Sequence, residues 1–414
     1  MSSIIEELCD DSTWDAFLAR KAKSSNKAQY EVLEEFVKSR RYRDTVEGIR
    51  DGTYRFQPAR RIEAPKPGTD ERRVVYSYKR EDITEHMVLR VFSDLLQRYD
   101  SMFEENLYSF RNKGGVQKAI ARLRSIDNIG SMYCYKADIT KYFNSVDKDR
   151  MVNILRMSKI DRPSRRLIES ILNDPMVECN GILIEDRCKG IMPGIPFSTF
   201  LSNLYLGTMD SHFHREKVQY YRFADDILVL CESEQELMKH VRYIRRFIRD
   251  RDLEINPSKE VFYKPGDRIE FLGLFIQNGV FDINRKSLDR SLRRIRIDGR
   301  HYRRTVERGE KTVDEAVHCF LVKMEQRFFG WEKGSKTCWS HWYFPLINTD
   351  ASLRIIDHQI HDWVRFIMTG KHIKGNAYRI GYGELKKHGY RTIVNRFYDR
   401  NYKTDPEDKE ECRA

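Results

Sequence analysis

Long apolar runs are missing from this sequence. No window approaches 18 uninterrupted apolar residues, which excludes an ordinary transmembrane helix and any membrane partner that would need one. Cysteines spaced CxxC are missing too. The eight cysteines are scattered at 9, 134, 179, 188, 231, 319, 338 and 412, so a zinc ribbon or a disulfide framework is not expected and reduced thiols fit better. At the N-terminus, MSSIIEELCDDSTW places Glu6, Glu7, Asp10 and Asp11 where a signal peptide needs an apolar core. Export is therefore not expected, and a cytoplasmic location is. Internal repeats and low-complexity linkers are absent, and so is any acidic excess: 75 Lys+Arg against 63 Asp+Glu leaves a formal charge of +12. What is present is a 414-residue chain, 40% apolar and 12% aromatic. That excludes a disordered protein and supplies core for two or three subdomains. The basic balance points to a polyanionic partner but says nothing about fold.

Residues 1–50 read as helical, with Ile4, Ile5 and Leu8, then Tyr30, Leu33, Phe36 and Val37, at helical spacing. RFQPARRIEAPKPGTDERRVVYSY (55–78) changes character, and PGTDER reads as a turn between two short strands. A helical stripe returns at 84–103. SMYCYKADIT (131–140) and YYRFADDILVL (220–230) read as strands that carry aspartate where a buried strand should not. Helices are expected at 150–175, at 198–214 after the turn-rich GIMPGIPFS, and at 234–251. IEFLGLFI (269–276) reads as one short strand, and the chain beyond about 285 as helical and basic with a frayed polar tail. Strands alternating with helices indicate an α+β or α/β protein and exclude a simple bundle.

The aspartates carry the functional reading. Asp225 and Asp226 stand between apolar flanks, Tyr220–Phe223 and Ile227–Leu230. A flanked Asp-Asp pair ordinarily marks a hairpin tip with two solvated acids. Asp138 argues for more, because it ends another strand-like segment where an unpaired buried carboxylate is costly. Carboxylates converging at strand ends suit a divalent-metal site. Mg2+ prefers a few acidic oxygens plus substrate phosphates, and two such ions can serve an in-line phosphoryl displacement.

Taken in order, ADITKYF around Asp138, the loop GIMPGIPFSTFLSN, FADD at 223–226, Lys259 in LEINPSK and FLG at 271–273 resemble the motifs of a reverse transcriptase. Upstream, RIEAPKPGTDERRV and NLYSFRNKGG are similar to that family's two fingers motifs. The resemblance spans roughly 50–280, with a weaker thumb-like match beyond. It implies an α+β right-hand polymerase, with fingers, a palm whose antiparallel sheet carries the aspartates, and a helical basic thumb. The expected divisions are an N-terminal helical extension (1–54), fingers and palm (55–284), and thumb with C-terminal extension (285–414).

Residue by residue, the resemblance makes Asp138 and Asp225 the shared ligands of two Mg2+ ions, with Mn2+ a possible substitute. Asp226 becomes the adjacent acid, and backbone at Ile139 helps hold the second ion. Phe143 falls at the steric-gate position, where a large ring would collide with a ribose 2′-hydroxyl. Either Arg72 or Arg73 would reach the triphosphate of a dNTP, as a planar guanidinium suits phosphate. Gly194 lies in the nucleotide-binding loop, and Lys259 at the position of the lysine that serves the departing pyrophosphate. Arg111 fits a template or nucleotide contact, Phe223 replaces the tyrosine that touches primer, and Gly273 would let the primer strand approach the backbone. Pro193 stands where most relatives carry glutamine, which removes a side-chain contact near the incoming sugar.

The back half is unevenly charged. Residues 285–308 hold ten Lys/Arg and three Asp/Glu, a balance of +7. Such one-sided charge, with Tyr302 interleaved, marks Arg293, Arg294, Arg296, Arg300, Arg303 and Arg304 as phosphate contacts of a template–primer duplex. FFGWEKGSKTCWSHWYFPLIN (328–348), with Trp331, Trp339 and Trp342, could stack unpaired bases but reads better as a buried aromatic hub. His341, His358 and His361 show no metal-like pattern. About 140 residues follow FLG without the spaced acids of an RNase H, zinc-finger or HNH-like cysteines, an integrase, or the Val-Thr-Gly of retrons. By elimination the sequence looks most like the stand-alone reverse transcriptases of antiphage defence. That implies an associated structured noncoding RNA as template and a cDNA product. Template-independent or protein-primed synthesis, as in abortive-infection relatives, and an intron maturase or RNA-binding protein remain as alternatives. The intact aspartates speak against the last.

Overall fold

Capping chemistry and apolar periodicity set the helices where the sequence indicates them. In the computed structural model, the residues described are 2–22, 27–65, 72–111, 114–187, 190–330, 338–371, 380 and 382–399. The chain forms two compact units, one of Met1–Ala119 with Met132–Phe262, the other of Ile120–Ser131 with Tyr263–Ala414.

The first unit opens with helices α1 (Ile4–Leu8), α2 (Asp11–Ala22), α3 (Lys27–Lys38) and α4 (Arg43–Asp51). A Ser3/Glu6 capping box starts α1, and Ile4, Ile5 and Leu8 are buried. Trp14 stacks on Tyr42 at 3.9 Å. Strands β1 (Ala59–Pro65) and β2 (Arg72–Ser77) pair antiparallel as expected, with Pro65 opposite Arg72; residues 66–71 of their turn lie outside the described residues. Next come α5 (Thr84–Leu96), α6 (Val116–Arg124, which passes into the second unit at Ile120), β3 (Tyr133–Asp138), α7 (Tyr142–Ser145), α8 (Lys148–Met157) and α9 (Arg162–Asn173). The single helix expected at 150–175 is thus two. Asp161 caps α9 by accepting from the Ser164 amide, and Pro163 sits in the first turn of α9, where its missing N–H costs nothing.

A hairpin that the sequence pattern did not announce, β4 (Met176–Cys179) and β5 (Ile182–Glu185), joins the fingers sheet in the order β2-β1-β4-β5, with β1 and β4 parallel. The palm follows: α10 (Ser198–Arg215), β6 (Gln219–Phe223), β7 (Asp226–Cys231), α11 (Glu234–Arg249) and β8 (Val261–Tyr263). Its sheet runs β6-β7-β3-β8. Tyr135 faces Val229 and Ala137 faces Ile227, all core residues on one side of the sheet. The alternate pairs Lys136/Leu228 and Asp138/Asp226 therefore lie on the other side.

In the second unit, β9 (Ile269–Phe271), β10 (Leu274–Gln277) and β11 (Val280–Ile283) make a small antiparallel sheet. Helices α12 (Arg285–Glu307), α13 (Val313–Phe329), α14 (Trp339–Tyr343), α15 (Ala351–Thr369), α16 (Tyr382–Lys387) and α17 (Ile393–Tyr398) complete it. The strand expected at 269–276 is really a hairpin. Phe271 pairs with Leu274, and the two-residue loop between them has both φ angles positive, 49° at Leu272 and 84° at Gly273. That geometry is the tight turn whose twist matches the strands, and it accounts for a glycine at 273. Gly299 is small for a different reason. A Cβ there would come 2.3 Å from the Trp363 ring, so α12 and α15 cross at close quarters. No helix among the described residues is long and apolar enough to cross a membrane.

The compact units break elsewhere than at 54/55 and 284/285. The N-terminal helices share the core of the first unit, and the Glu85 carboxylate fastens the following segment to α5 by accepting from the Tyr54 hydroxyl at 3.1 Å and the Gln57 amide at 2.7 Å. The break near 262/263 arises because β11 is tied to the helices beyond it. The buried Asp282 carboxylate accepts from the Ser352 amide at 3.1 Å and hydroxyl at 2.8 Å.

Candidate active site

The three aspartates converge because β3 pairs in register with β7. Asp138, the last residue of β3, lies directly opposite Asp226, the first of β7. Phe223 in turn pairs with Asp226, so Ala224 and Asp225 form the two-residue connection of the β6–β7 hairpin. The Asp-Asp pair does sit at a hairpin tip, but its carboxylates are largely withdrawn from solvent and meet Asp138 there.

Like charges at such distances penalise ionisation. Burial, then the fields of Asp138 and Asp226, push the Asp225 carboxyl up to about 6. Burial raises Asp226 as well, with Asp138 adding to it and Lys136 opposing. Lys136 is one cation that answers them and Lys259 is another: the Lys259 Nζ is 2.8 Å from Asp138 Oδ1. Burial alone would lower the Lys259 pKa, but the hydrogen bond to Asp138 and the three carboxylates outweigh it and raise it. The loop that carries Lys259 is held to β3 by backbone bonds, Asn256 N–H to Asp138 O at 2.7 Å and Thr140 N–H to Glu254 O at 2.8 Å. These flank Ile139 and use neither its amide nor its carbonyl.

Three acidic groups with so little countercharge are what a divalent cation would relieve, so the donor set fits Mg2+ or Mn2+. A second cluster does not. Cys231, Glu236 and His240 bring their ligand atoms within 4.8 Å of one another, under α11 on the other side of the palm sheet. Its thiol and imidazole are softer donors than the oxygens Mg2+ takes, and burial, helped by Glu236, pushes the Cys231 thiol up to about 12.

Phe143 lies half-buried on α7, with its backbone pinned by the loop preceding α10: Ile191 N–H donates to Phe143 O at 2.9 Å. A Cβ on Gly190 (φ 56°) would come within 2.1 Å of that same oxygen, so only glycine permits the approach. The same loop is stitched to the fingers. Tyr76 N–H donates to Pro193 O at 2.7 Å, and a Cβ on Gly194 (φ 103°) would come 2.6 Å from Tyr76 O. Pro193 thus keeps the backbone link although it offers no amide side chain.

The two arginines on β2 separate. Arg72 is engaged with Glu63, donating to its carbonyl at 3.1 Å. Arg73 is exposed and makes no side-chain hydrogen bond or ion pair among the described residues. Arg73 also shares a strand face with Val75, whose Cβ lies 3.5 Å from the Cβ position at Gly194. The geometry therefore favours Arg73 as the triphosphate contact. Arg73→Ala should raise the KM for dNTP about tenfold or more, and Arg72→Ala less than threefold, in steady-state primer extension; equal effects would remove the distinction.

Two expected contacts have other work. Arg111 is partly buried and holds the loop before it, pairing bidentately with Asp100 (2.8 and 3.1 Å) and donating to the carbonyls of Phe103, Glu104 and Leu107. In this structure its donors are directed inward, to protein partners, and not to the template or nucleotide contact expected of it. Asn112 and Lys113 of that motif lie outside the described residues. On α12, Arg303 donates to Glu307 (2.9 Å) and to the Ile367 carbonyl (3.0 Å), so it fastens α12 to the end of α15. Arg290, Arg293, Arg294, Arg296, Arg300 and Arg304 are exposed and without side-chain partners among the described residues, while Leu288, Ser291, Ile295 and Gly299 form the buried face. Phe223 is half-buried, its ring 6.2 Å from that of Phe110. Trp339 belongs to an aromatic hub with Phe328 (5.1 Å) and Tyr343 (4.8 Å), Trp342 is 45% exposed, and Trp331 lies outside the described residues.

Sequence reasoning missed Arg222, Asp210 and Ser109. An arginine inside a strand-like run beside FADD, and an aspartate in the apolar LGTMDSHF, are each costly when buried alone; together they were a signal.

Comparison with known proteins agrees with this geometry. Residues 64–276 match the family model described as reverse transcriptase (RNA-dependent DNA polymerase). Two proteins of Saccharomyces cerevisiae are similar. The COX1/OXI3 intron 2 protein is 23% identical over 171 residues, 41% of this chain and 19% of its own length. The intron 1 protein is 23% identical over 160 residues, 39% and 19%. The match thus spans about a fifth of these relatives. Among solved structures, apo telomerase from Candida tropicalis aligns at 12% identity and TM-score 0.45, covering 86% of this chain and 69% of that one. Telomerase from Candida albicans with a fragment of telomeric RNA aligns at 11% and 0.42, covering 88% and 67%. With the matched region containing Asp138, Phe143, Gly194, Asp225, Asp226 and Lys259, the chain belongs to the reverse transcriptase family.

Proposed function

We propose that this protein is an RNA-directed DNA polymerase that copies a structured noncoding RNA into cDNA. The observation that carries the reading is the register pairing of Asp138 with Asp226, with Asp225 next to Asp226 in the turn and Lys259 reaching Asp138. Asp138, Asp225 and Asp226, with the Ile139 carbonyl, would hold two Mg2+ ions, or Mn2+ in their place. Such ions lower the pKa of an attacking 3′-hydroxyl and neutralise charge on the leaving pyrophosphate. The chain's own residues do the rest. Arg73 orients the triphosphate, and the Phe143 ring excludes a 2′-hydroxyl. Lys259, charged at physiological pH and beside Asp138, is placed to give its proton to the departing phosphate. The outward arginines of α12 supply sequence-independent grip on the phosphates of the template–primer duplex.

The narrower reading is an enzyme of antiphage defence working in the cytoplasm on an RNA encoded beside it. Its support is the sequence's likeness to the stand-alone enzymes of that class. The similarity to two intron proteins favours the maturase alternative, and Pro193 favours untemplated synthesis.

The test is to purify the protein with its bound nucleic acid and sequence both RNA and DNA, beside a preparation carrying Asp225→Ala and Asp226→Ala. One discrete RNA in both, with complementary DNA only in the unsubstituted protein, is the expected result. DNA with no RNA complement would establish untemplated synthesis instead. RNA without DNA in either would overturn the polymerase reading in favour of RNA binding.

A further inference from the structure

Ala224, the residue before Asp225, has φ +57°, in the left-handed region that residues with a Cβ rarely occupy. Something must hold it there, and the structure shows what does. Arg222 on β6 is completely buried, and Asp210 on α10 is 1% exposed. The guanidinium meets the carboxylate in a fork, Nε to Oδ1 at 2.7 Å and Nη2 to Oδ2 at 2.5 Å. Its third nitrogen, Nη1, donates to the Ala224 carbonyl at 3.1 Å, and Nη2 donates also to the Asn203 carbonyl at 3.1 Å. From the other side, the Ala224 amide donates to Ser109 Oγ at 2.8 Å, and that hydroxyl donates to Asn203 Oδ1 at 3.0 Å. Tyr220 donates to Asp210 Oδ1 at 3.0 Å. Burial works against the charge on Arg222, but the Asp210 carboxylate outweighs it and drives the guanidinium above its ordinary pKa.

Both ends of the residue that precedes Asp225 are therefore gripped, the amide by the fingers segment through Ser109 and the carbonyl by the palm through Arg222. A buried ion pair seldom stabilises a fold more than an apolar pair of the same volume. Stability alone does not account for such a pair here; orientation does, since a small rotation of Ala224 would swing the Asp225 carboxylate away from Asp138. We propose that Arg222, Asp210 and Ser109 form a positioning clamp that aims Asp225 for metal binding, an inference that rests on the polymerase reading above.

The test uses the full chain and two variants. Arg222→Met combined with Asp210→Leu replaces the pair by apolar side chains without stranding a charge, and Ser109→Ala releases only the Ala224 amide. Mn2+ affinity is measured by electron paramagnetic resonance, the single-turnover incorporation rate by rapid quench, and template–primer affinity by anisotropy. The expected result for the double variant is cooperative unfolding, template–primer affinity within twofold of the parent, Mn2+ affinity about tenfold weaker and incorporation about 100-fold slower. Ser109→Ala should lose about tenfold in rate. A folded double variant with parental Mn2+ affinity and rate would overturn the clamp. Should the double variant fail to fold, unchanged Mn2+ affinity and rate in Ser109→Ala would overturn it equally. Failure of the parent itself to polymerise would count against the polymerase reading, while the Mn2+ titration still decides the clamp.

Discussion

Asp225→Asn should abolish nucleotide incorporation, at least 1,000-fold, and at the same time make the metal-free protein more stable at pH 8. The first effect follows if Asp225 is the metal ligand proposed above, since asparagine lacks the carboxylate charge. The second follows from the carboxyl's position at about 6, against an ordinary value of 3.8. A folded-state pKa above the unfolded one means that the folded protein holds a proton the unfolded chain has already lost. The stability this contributes is fully present below about pH 4 and is lost as pH rises through 6; above that, an ionised Asp225 works against folding. A shift of about two units corresponds to roughly 3 kcal/mol at most, and solvent screening of this half-buried group leaves about 1–2 kcal/mol. Denaturant unfolding in chelator should therefore show the variant ahead at pH 8 and level with the parent at pH 4. Adding Mg2+ at pH 8 should stabilise the parent and not the variant, closing the gap. Equal stability at pH 8 in chelator would mean that burial and the neighbouring carboxylates do not disfavour an ionised Asp225.

Phe143→Val is expected to lower discrimination against ribonucleotides by about 100-fold, close to 3 kcal/mol at 1.36 kcal/mol per decade. The expectation is specific because the backbone beneath the ring is fixed. Ile191 bonds to its carbonyl, and Gly190 packs on that oxygen with no room for a Cβ. A smaller side chain thus opens space without moving the loop. The ratio of kcat/KM for dNTP over rNTP measures it, and an unchanged ratio would show that the ring is ordinary packing. Gly190→Ala should instead lower efficiency with both sugars, because it displaces the gate's support.

The site was legible where its signal is local in the chain. Asp138, Asp225 and Asp226 each break an apolar strand pattern, and the pairing of β3 with β7 converts those interruptions into one cluster. Legibility failed where the deciding partner is distant or the rule is broken on purpose. Arg111 looked like a nucleic-acid contact because Asp100, which claims it, stands outside the motif. Arg303 was one more basic residue in a run until the end of α15 supplied a carbonyl for it. The turn at Leu272–Gly273 was hidden because a leucine occupies a left-handed position, so IEFLGLFI reads as one strand. The hairpin β4–β5 was missed because ILIE is exposed throughout, and an exposed apolar run carries no alternation. The second unit's helical and basic character was plain from composition, but its division into separate helices was not.

The order of strands in the palm has a consequence for how the protein is made. β3 lies between β7 and β8, both of which come after it in the chain. Asp138 leaves the ribosome 226 − 138 = 88 residues before Asp226. At roughly 5–20 residues per second, the nascent YCYKAD segment waits about 4–18 s with neither edge paired. During that interval it is an open template for any other extended chain, so yield should depend on chaperones or slowed temperature far more than on the stability of the finished enzyme. The same order ensures that Asp138 and Asp226 are not brought together on the nascent chain until the sheet is nearly complete.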